Sequence, residues 1–203
     1  MREEEFTPFQ SLQLIKSMID KTKQGLYDRS FYFLLWGWGV FLISLVQFVL
    51  KVIYKYPYHY RIWMLMYLFF IVNVFTTYKR NKKQKVRSYM NESMKHLWLG
   101  ITICFFMLII QFSILGWQNC YPFFMIFYGL GTFVSGNLLK FKPLIVGGII
   151  SWLFASVSLC FNYDYQMLFA CGALLASYII PGHLLRVEYQ LRVKAEEQKI
   201  ETL

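Results

Sequence analysis

The stretch YGLGTFVSGNLLKFKPLIVGGIIS, residues 128–151, decides the fold, because two apolar runs meet in it across the short basic turn Lys140–Pro143. Small residues recur at steps of four before the turn (Gly131 and Ser135, Thr132 and Gly136) and after it (Gly147, Ser151 and Ala155). This step places them on one face of each helix. Membrane helices approach one another through such faces, since lipid gives no hydrophobic push between them. The stretch therefore predicts two membrane helices and their connection.

Composition points to a bilayer as the solvent of this protein. The chain has 203 residues, of which 57% are apolar, 20% aromatic and only 16% charged. Soluble domains use roughly 45–50% apolar and about 25% charged residues. The balance predicts an integral membrane protein.

Uncharged runs set the number of predicted spans, since a helix needs about 20 mostly apolar residues to cross the hydrocarbon core. Six runs qualify: Phe31–Leu50, Ile62–Tyr78, Leu97–Trp117, Tyr121–Leu139, Pro143–Phe161 and Gln166–Leu184. The predicted fold is all-α, a polytopic membrane protein with six transmembrane helices in three hairpins. Residues 30–185 would form this domain, between a cytoplasmic or interfacial segment, 1–29, and a cytoplasmic tail, 186–203.

The basic residues predict the orientation. Of the 21 Lys and Arg residues, 18 fall before the first span, in residues 79–96, in the 140–143 turn or after residue 185, and three (Lys51, Lys55 and Arg61) fall on the other side. By the positive-inside rule both termini face the cytoplasm. The first apolar run begins only at residue 31 and is too long for a signal peptide, so it is expected to remain. We expect a multi-pass protein of the bacterial cytoplasmic (inner) membrane.

The two ends of the chain are predicted to be helical. Thr7-Pro8-Phe9-Gln10 has the pattern of a capping box, and apolar residues then recur at helical spacing to about residue 24. This amphipathic helix either lies in the membrane interface or docks a cytoplasmic partner. The sixth span is expected to bend at Pro181 and to continue as a helix into the cytoplasm.

Residues 79–96 form a basic loop whose predicted partner is lipid. Six of its basic residues precede Tyr89: Lys79, Arg80, Lys82, Lys83, Lys85 and Arg87. Clusters of this kind beside a span bind anionic headgroups. Nucleic acid is not expected, because Tyr89 is the loop's only aromatic residue for base stacking.

The spans offer little for catalysis, since none of the six apolar runs contains Asp, Glu, Lys or Arg. Coupled transport through a buried carboxylate is therefore disfavoured. Ser135 and His183 loosely resemble the dyad of six-span rhomboid proteases, but both lie at the cytoplasmic ends of their helices. The cysteines lack metal-ligand spacing; Cys120 and Cys160 either pair at the outer face or stay as inert thiols. We expect no enzyme, no metal and no cofactor.

Three amides in the spans, Asn73, Gln111 and Asn137, are the candidate ligand-binding residues. Gln47 and Asn73 are 26 residues apart, as are Gln111 and Asn137, and the pairs are offset by 64. This spacing indicates either a duplicated hairpin or chance. The tyrosine-rich loop 51–61 either anchors the protein in the interface or cups a ligand.

The chain resembles a family of uncharacterised six-span integral membrane proteins of Bacteroidota. The resemblance lies in Ser11–Ile19, in Gly131-Thr132-Phe133 through Lys140–Leu144 with Gly147-Gly148, and in Ile180-Pro181-Gly182. The resemblance implies six membrane spans, and it does not imply any particular activity.

Together these features predict a non-enzymatic membrane protein, a sensing or accessory subunit that engages a cytoplasmic or membrane partner or a second copy of itself. The alternative is a small-solute or lipid transporter or channel in which the three amides contact the solute.

Overall fold

A computed structural model describes residues 30–81 and 89–201, and all regular secondary structure in these ranges is helical. The predicted all-α class is therefore confirmed for the described residues. Helix α1 covers residues 30–48 and continues into a π-helical turn, Val49–Ile53. A 3-10 helix, His59–Met64, then leads into α2, Leu65–Asn81.

The second part of the chain contains five more helices. They are α3 (Tyr89–Leu115), α4 (Cys120–Leu139), α5 (Lys142–Ser158), α6 (Tyr163–Leu174) and α7 (Ile180–Glu201). A π-helical turn, Leu175–Ile179, joins α6 to α7 without a break. The helical extension predicted beyond the last span is thus present as far as Glu201.

Five of the described helical segments are long and apolar enough to cross a membrane. They are Ser30–Ile53, His59–Lys79, Glu92–Leu115, Cys120–Leu139 and Tyr163–Leu191. Helix α5 is also apolar but has only 17 residues. It is about 25 Å long, a little less than the roughly 30 Å of a hydrocarbon core. The structure fits a membrane protein with at least five spans in its described part, and the amphipathic helix predicted near residues 8–24 lies outside the described residues.

Helices α4 and α5 pack closely because glycines face each other between them. A Cβ on Gly148 would lie 2.7 Å from the Gly129 carbonyl oxygen, and one on Gly136 would lie 2.7 Å from the Ile145 nitrogen. Real Cβ atoms do not approach other atoms so closely, so only glycine permits this spacing. The predicted small-residue faces meet only in part: Gly136 and Ser151 contact the partner helix, whereas Gly131 faces Trp98 on α3 and Gly147 faces Ala176.

The turn between these helices explains how α5 returns along α4. Lys140 has a left-handed backbone, with φ of 52°. The Lys140 N–H donates to the Asn137 carbonyl at 3.2 Å and the Phe141 N–H to the Gly136 carbonyl at 2.9 Å. These bonds satisfy carbonyls at the end of α4 and reverse the chain within two residues.

A neighbouring face of α5 packs against the last helical segment. A Cβ on Gly147 would lie 2.5 Å from the Ala176 carbonyl oxygen, in the π-helical turn before Pro181. Proline lacks an N–H and its ring crowds the carbonyl four residues earlier, which here is that of Ser177. The sequence predicted a bend at Pro181, and the structure has the wider π-helical turn directly before it.

Helix α2 packs much more loosely than the others. None of the residues in the apolar window of its span, His59–Lys79, is fully buried. It contacts α1 where the Phe69 ring covers Gly39 and where the Tyr32 and Thr77 hydroxyls hydrogen-bond at 3.0 Å. The fold is therefore a dense group of α4, α5 and α6 with a looser wall of α2 and α3.

Candidate binding cavity

A cavity of about 1640 Å³ lies between the dense group and the looser wall. Its lining comes from α1, the 3-10 helix, α2, α3, α4 and α6, together with the loops at one end of the bundle. We call that end, formed by residues 47–63, 116–121 and 159–164, the polar end. Pockets for drug-sized ligands are about 300–1,000 Å³, so this cavity is larger than such a ligand needs.

The lining of the cavity includes exposed side chains of both α2 and α3, from which we infer a side opening between these helices. Phe70 on α2 and Phe106 on α3 both line it, yet they are 50% and 60% exposed. Ile109 and Tyr67 are likewise both lining and exposed. An opening bordered by exposed apolar side chains on two membrane-length helices would face lipid rather than water.

The polar end is organised around the side chain of Gln47, which is 1% exposed. Gln47 Oε1 accepts hydrogen bonds from Trp63 Nε1 at 2.5 Å and from the Tyr121 hydroxyl at 2.6 Å. Gln47 Nε2 lies 3.2 Å from His59 Nδ1 and 3.5 Å from the Tyr163 hydroxyl. All four hydrogen-bonding positions of the amide are thus in use, and they tie α1 to the 3-10 helix, α4 and α6.

These contacts fix the orientation of the amide and the tautomer of the histidine. Indole N–H can only donate, so the Gln47 atom that faces Trp63 must be the oxygen. The amide nitrogen then faces His59 Nδ1, and because an NH₂ group can only donate, Nδ1 must accept. His59 is therefore neutral in this arrangement, with its proton on Nε2.

An ion pair lies beside the Gln47 network. Lys51 Nζ is 2.6 Å from Asp164 Oδ1 and 4.0 Å from the centroid of the Tyr163 ring. The two side chains are 29% and 44% exposed. Lys51 follows α1 and Asp164 opens α6, where a carboxylate is favoured by the helix dipole. The pair joins two walls of the cavity at its polar end.

The body of the cavity is aromatic and apolar. Phe105 packs against Tyr128 with ring centroids 4.9 Å apart, and Tyr128 packs edge-on against Tyr178 at 5.6 Å. Trp36, Phe124 and Leu174 line the same region. A polar head at one end and an aromatic body along the rest give the cavity the shape of a site for an amphiphile.

One hydroxyl on the cavity wall has no partner. Ser44 is 1% exposed and lines the cavity, and within the described part of the chain its Oγ makes no hydrogen bond. The Ser156 and Ser177 hydroxyls, by contrast, each donate to the carbonyl four residues earlier. A buried hydroxyl left unpaired costs free energy, so its position on the wall needs an explanation.

The three predicted amides lie elsewhere. Gln111 and Asn137 are exposed, Asn73 is half-buried, and none of the three belongs to the lining described for the cavity. Asn137 Nδ2 donates to the Phe133 carbonyl of its own helix at 2.9 Å. Gln47 and Gln111, which a duplicated hairpin would make equivalent, thus have different surroundings. A ligand role for the three amides stays a prediction.

The predicted lipid-binding cluster is described only in part. Lys79 is exposed at the end of α2. The side chain of Arg80 and the whole of Lys82, Lys83, Lys85 and Arg87 lie outside what the structure describes, so their contact with anionic lipid stays a prediction.

Two other sequence-based candidates have clear positions. Ser135 is fully buried and, among the described residues, its Oγ has no hydrogen-bond partner, while His183 is exposed. The structure therefore does not join them as a dyad. Cys120 is buried and Cys160 exposed, and both are free thiols.

The residues that form the polar end were only partly visible in the sequence. Gln47 stands out as an amide within an apolar run, and His59 belongs to the tyrosine-rich loop. Trp63, Tyr121 and Tyr163 carry no such signal, because aromatic residues near helix ends are common in any membrane protein. Their convergence on Gln47 depends on helix packing that spacing along the chain does not reveal.

Comparison of the chain with protein-family models, with curated proteins and with solved structures finds no match. The site is therefore interpreted from its own geometry.

Proposed function

We propose that the protein is a non-enzymatic, six-span protein of the bacterial inner membrane, with both termini cytoplasmic, that binds a membrane amphiphile in its lateral cavity. Helix α5 serves as the fifth span, shortened but sheltered between α4 and the last helical segment. Only three of the 21 basic residues, Lys51, Lys55 and Arg61, belong to the polar end, and this scarcity supports its position at the outer leaflet.

The observation that carries this proposal is one cavity with two kinds of lining. The side opening between α2 and α3 is apolar, and the polar end holds an amide network and an ion pair. An amphiphile can enter from the bilayer between the two helices, leave its chains against the aromatic body and keep its head at the polar end. An apolar opening toward the bilayer would not favour the entry of a small polar solute.

The packing favours retention of the ligand over its passage across the membrane. Alternating access requires one group of helices to rock against another. Here the Gln47 network joins α1, the 3-10 helix, α4 and α6, and α5 packs on two faces through glycines that leave no space for another atom. We therefore favour the sensing or accessory role over the transporter, with the occupied cavity as the signal and the loosely held α2 as the element that responds.

Native mass spectrometry of the protein released from its membrane in mild detergent tests this function. We expect a bound amphiphile on the wild type and its loss in Ala170→Phe, because Ala170 lines the cavity and a phenyl ring would occupy it. Leu153→Phe is the control, since Leu153 is 61% exposed on α5 and not among the lining residues. An unchanged unfolding temperature would show that Ala170→Phe remains folded. If both variants keep the same amphiphile as the wild type, the cavity is not its site.

Thiol labelling tests the orientation. Cys160 is free and exposed at the polar end, so an impermeant maleimide should modify it in intact cells. In a Cys160→Ser background, Asn91→Cys should react only after the membrane is permeabilised. Reaction of Asn91→Cys in intact cells would overturn the proposed topology.

A further inference from the structure

The geometry points to a ligand whose head carries a phosphodiester: we propose that the cavity takes a glycerophospholipid, with its phosphate bound at the polar end by Lys51 and Arg61. This inference rests on the proposed amphiphile-binding function and narrows it to one chemical class.

Charge is the first argument. Among the described residues, the charged side chains that line the cavity are Lys51, Arg61 and Asp164, and all three lie at the polar end. His59, which also lines it, is neutral in the Gln47 network. The lining therefore carries one excess positive charge at neutral pH, which complements a single phosphodiester anion.

The donors suit a phosphate oxygen. Arg61 is exposed, and its guanidinium makes a cation–π contact with Tyr58, 4.4 Å from the centroid of the ring. A guanidinium offers two parallel N–H groups to a phosphate, and a lysine ammonium adds a point charge. Lys51 is already fixed between Asp164 and the Tyr163 ring, and it can donate a further hydrogen bond from the same position.

The unpaired hydroxyl is the second, independent argument. Ser44 lies seven residues before Lys51, about 10 Å deeper along the helix at 1.5 Å per residue. The polar layer of a bilayer is about 5–8 Å thick on each side, so a phosphate near Lys51 puts the glycerol esters close to the level of Ser44. Ser44 Oγ is buried and has no partner in the described part of the chain, and it would donate to an ester carbonyl once its side chain turns toward the cavity.

Binding of defined lipids to delipidated protein tests the proposal. The probes are phosphatidylglycerol, phosphatidylethanolamine and diacylglycerol with the same two oleoyl chains, and the measurements are bound lipid by native mass spectrometry and the rise in unfolding temperature. We expect both phospholipids to bind at least tenfold more tightly than diacylglycerol. Lys51→Gln with Arg61→Gln should abolish this preference.

Two controls make the result specific. Lys55→Gln removes the same charge from the same loop, but Lys55 is not among the lining residues, so the preference should persist. Asp164→Asn separates the two phospholipids: weaker binding of phosphatidylethanolamine alone would show that the carboxylate holds its ammonium, and equal binding would place only the phosphate at the site. Either outcome supports the phosphodiester.

Different results would contradict the phosphodiester site and the proposed amphiphile-binding function. Diacylglycerol bound as tightly as the phospholipids, or an equal loss of preference in Lys55→Gln, would overturn the phosphodiester site and leave amphiphile binding in place. Absence of all three lipids from the wild type would overturn the proposed function itself. If the double variant unfolds in detergent without lipid, Lys51→Gln and Arg61→Gln are measured singly, and each should lower the preference at least threefold.

Discussion

The dense group of α4, α5 and α6 and the looser wall of α2 and α3 are built from different residues and respond differently to change. In the dense group, glycines and serines have little side-chain volume, so the backbones of neighbouring helices come into contact. In the wall, large aromatic and aliphatic side chains hold the helices apart and leave the cavity behind them. In this membrane protein, helices are therefore in close contact where the facing residues are small, and they enclose the cavity where those residues are large.

The largest effect is expected at Gly147, where the dense group has no room. Gly147→Leu places a side chain where even a Cβ would lie 2.5 Å from the Ala176 carbonyl oxygen. We expect a loss of about 3 kcal/mol of unfolding free energy, from the strain of overpacking. Thermal unfolding in detergent measures it.

Gly100→Leu is the matched control in the wall. A Cβ there would meet no described atom within 4 Å, so the change should stay within about 0.5 kcal/mol. Equal losses at both glycines would show that the two regions do not differ in packing.

A second large effect is expected at Gln47, which joins the two regions. Gln47→Leu removes partners from Trp63, Tyr121, His59 and Tyr163 at once. Each buried polar group left without a partner costs about 1–3 kcal/mol, and water at the polar end will replace some of these bonds, so we expect a loss of about 2–3 kcal/mol. The exposed Gln111 is the matched control, and Gln111→Leu should stay within about 0.5 kcal/mol. Similar losses at both glutamines would favour equivalent roles in a duplicated hairpin.

The sequence predicted the dense group better than the wall, for a physical reason. Close packing leaves a local trace, because residues such as Gly147 and Ser151 must recur at helical spacing to form a face. The cavity leaves no such pattern in the sequence, because large apolar residues line the cavity and residues of the same types also face lipid. The polar end was missed for a third reason: the partners of Gln47 come from segments up to 116 residues away. The number of spans was predicted less well than the dense group but better than the cavity. Helix α5 has the predicted composition but ends at Ser158, three residues before the predicted end.

A smaller effect separates two serines, one in each region. Ser151 Oγ donates to the Met125 carbonyl on α4 at 3.0 Å, whereas Ser44 Oγ is buried at the cavity wall without a described partner. Ser151→Ala should cost about 1 kcal/mol, because the helices lose a hydrogen bond. Ser44→Ala should be neutral or slightly stabilising in delipidated protein, since it removes an unpaired hydroxyl. Unfolding in detergent without lipid measures both, and a loss at Ser44 equal to that at Ser151 would mean that Ser44 has a partner within the protein.

The smallest effect is expected at the ion pair between Lys51 and Asp164, which lies at the polar end. Lys51 and Asp164 are 2.6 Å apart but substantially exposed, so water screens their attraction, and such pairs contribute about 0–1 kcal/mol. Asp164→Asn should therefore lower stability by less than about 1 kcal/mol. A double-mutant cycle with Lys51→Gln isolates the pair from the separate contact of Lys51 with the Tyr163 ring. The coupling should fall as salt is raised, because exposed charges are screened. A coupling well above 1 kcal/mol that is insensitive to salt would mean that the pair is buried in the membrane-bound protein, and the polar end would then be sealed rather than open to a lipid head.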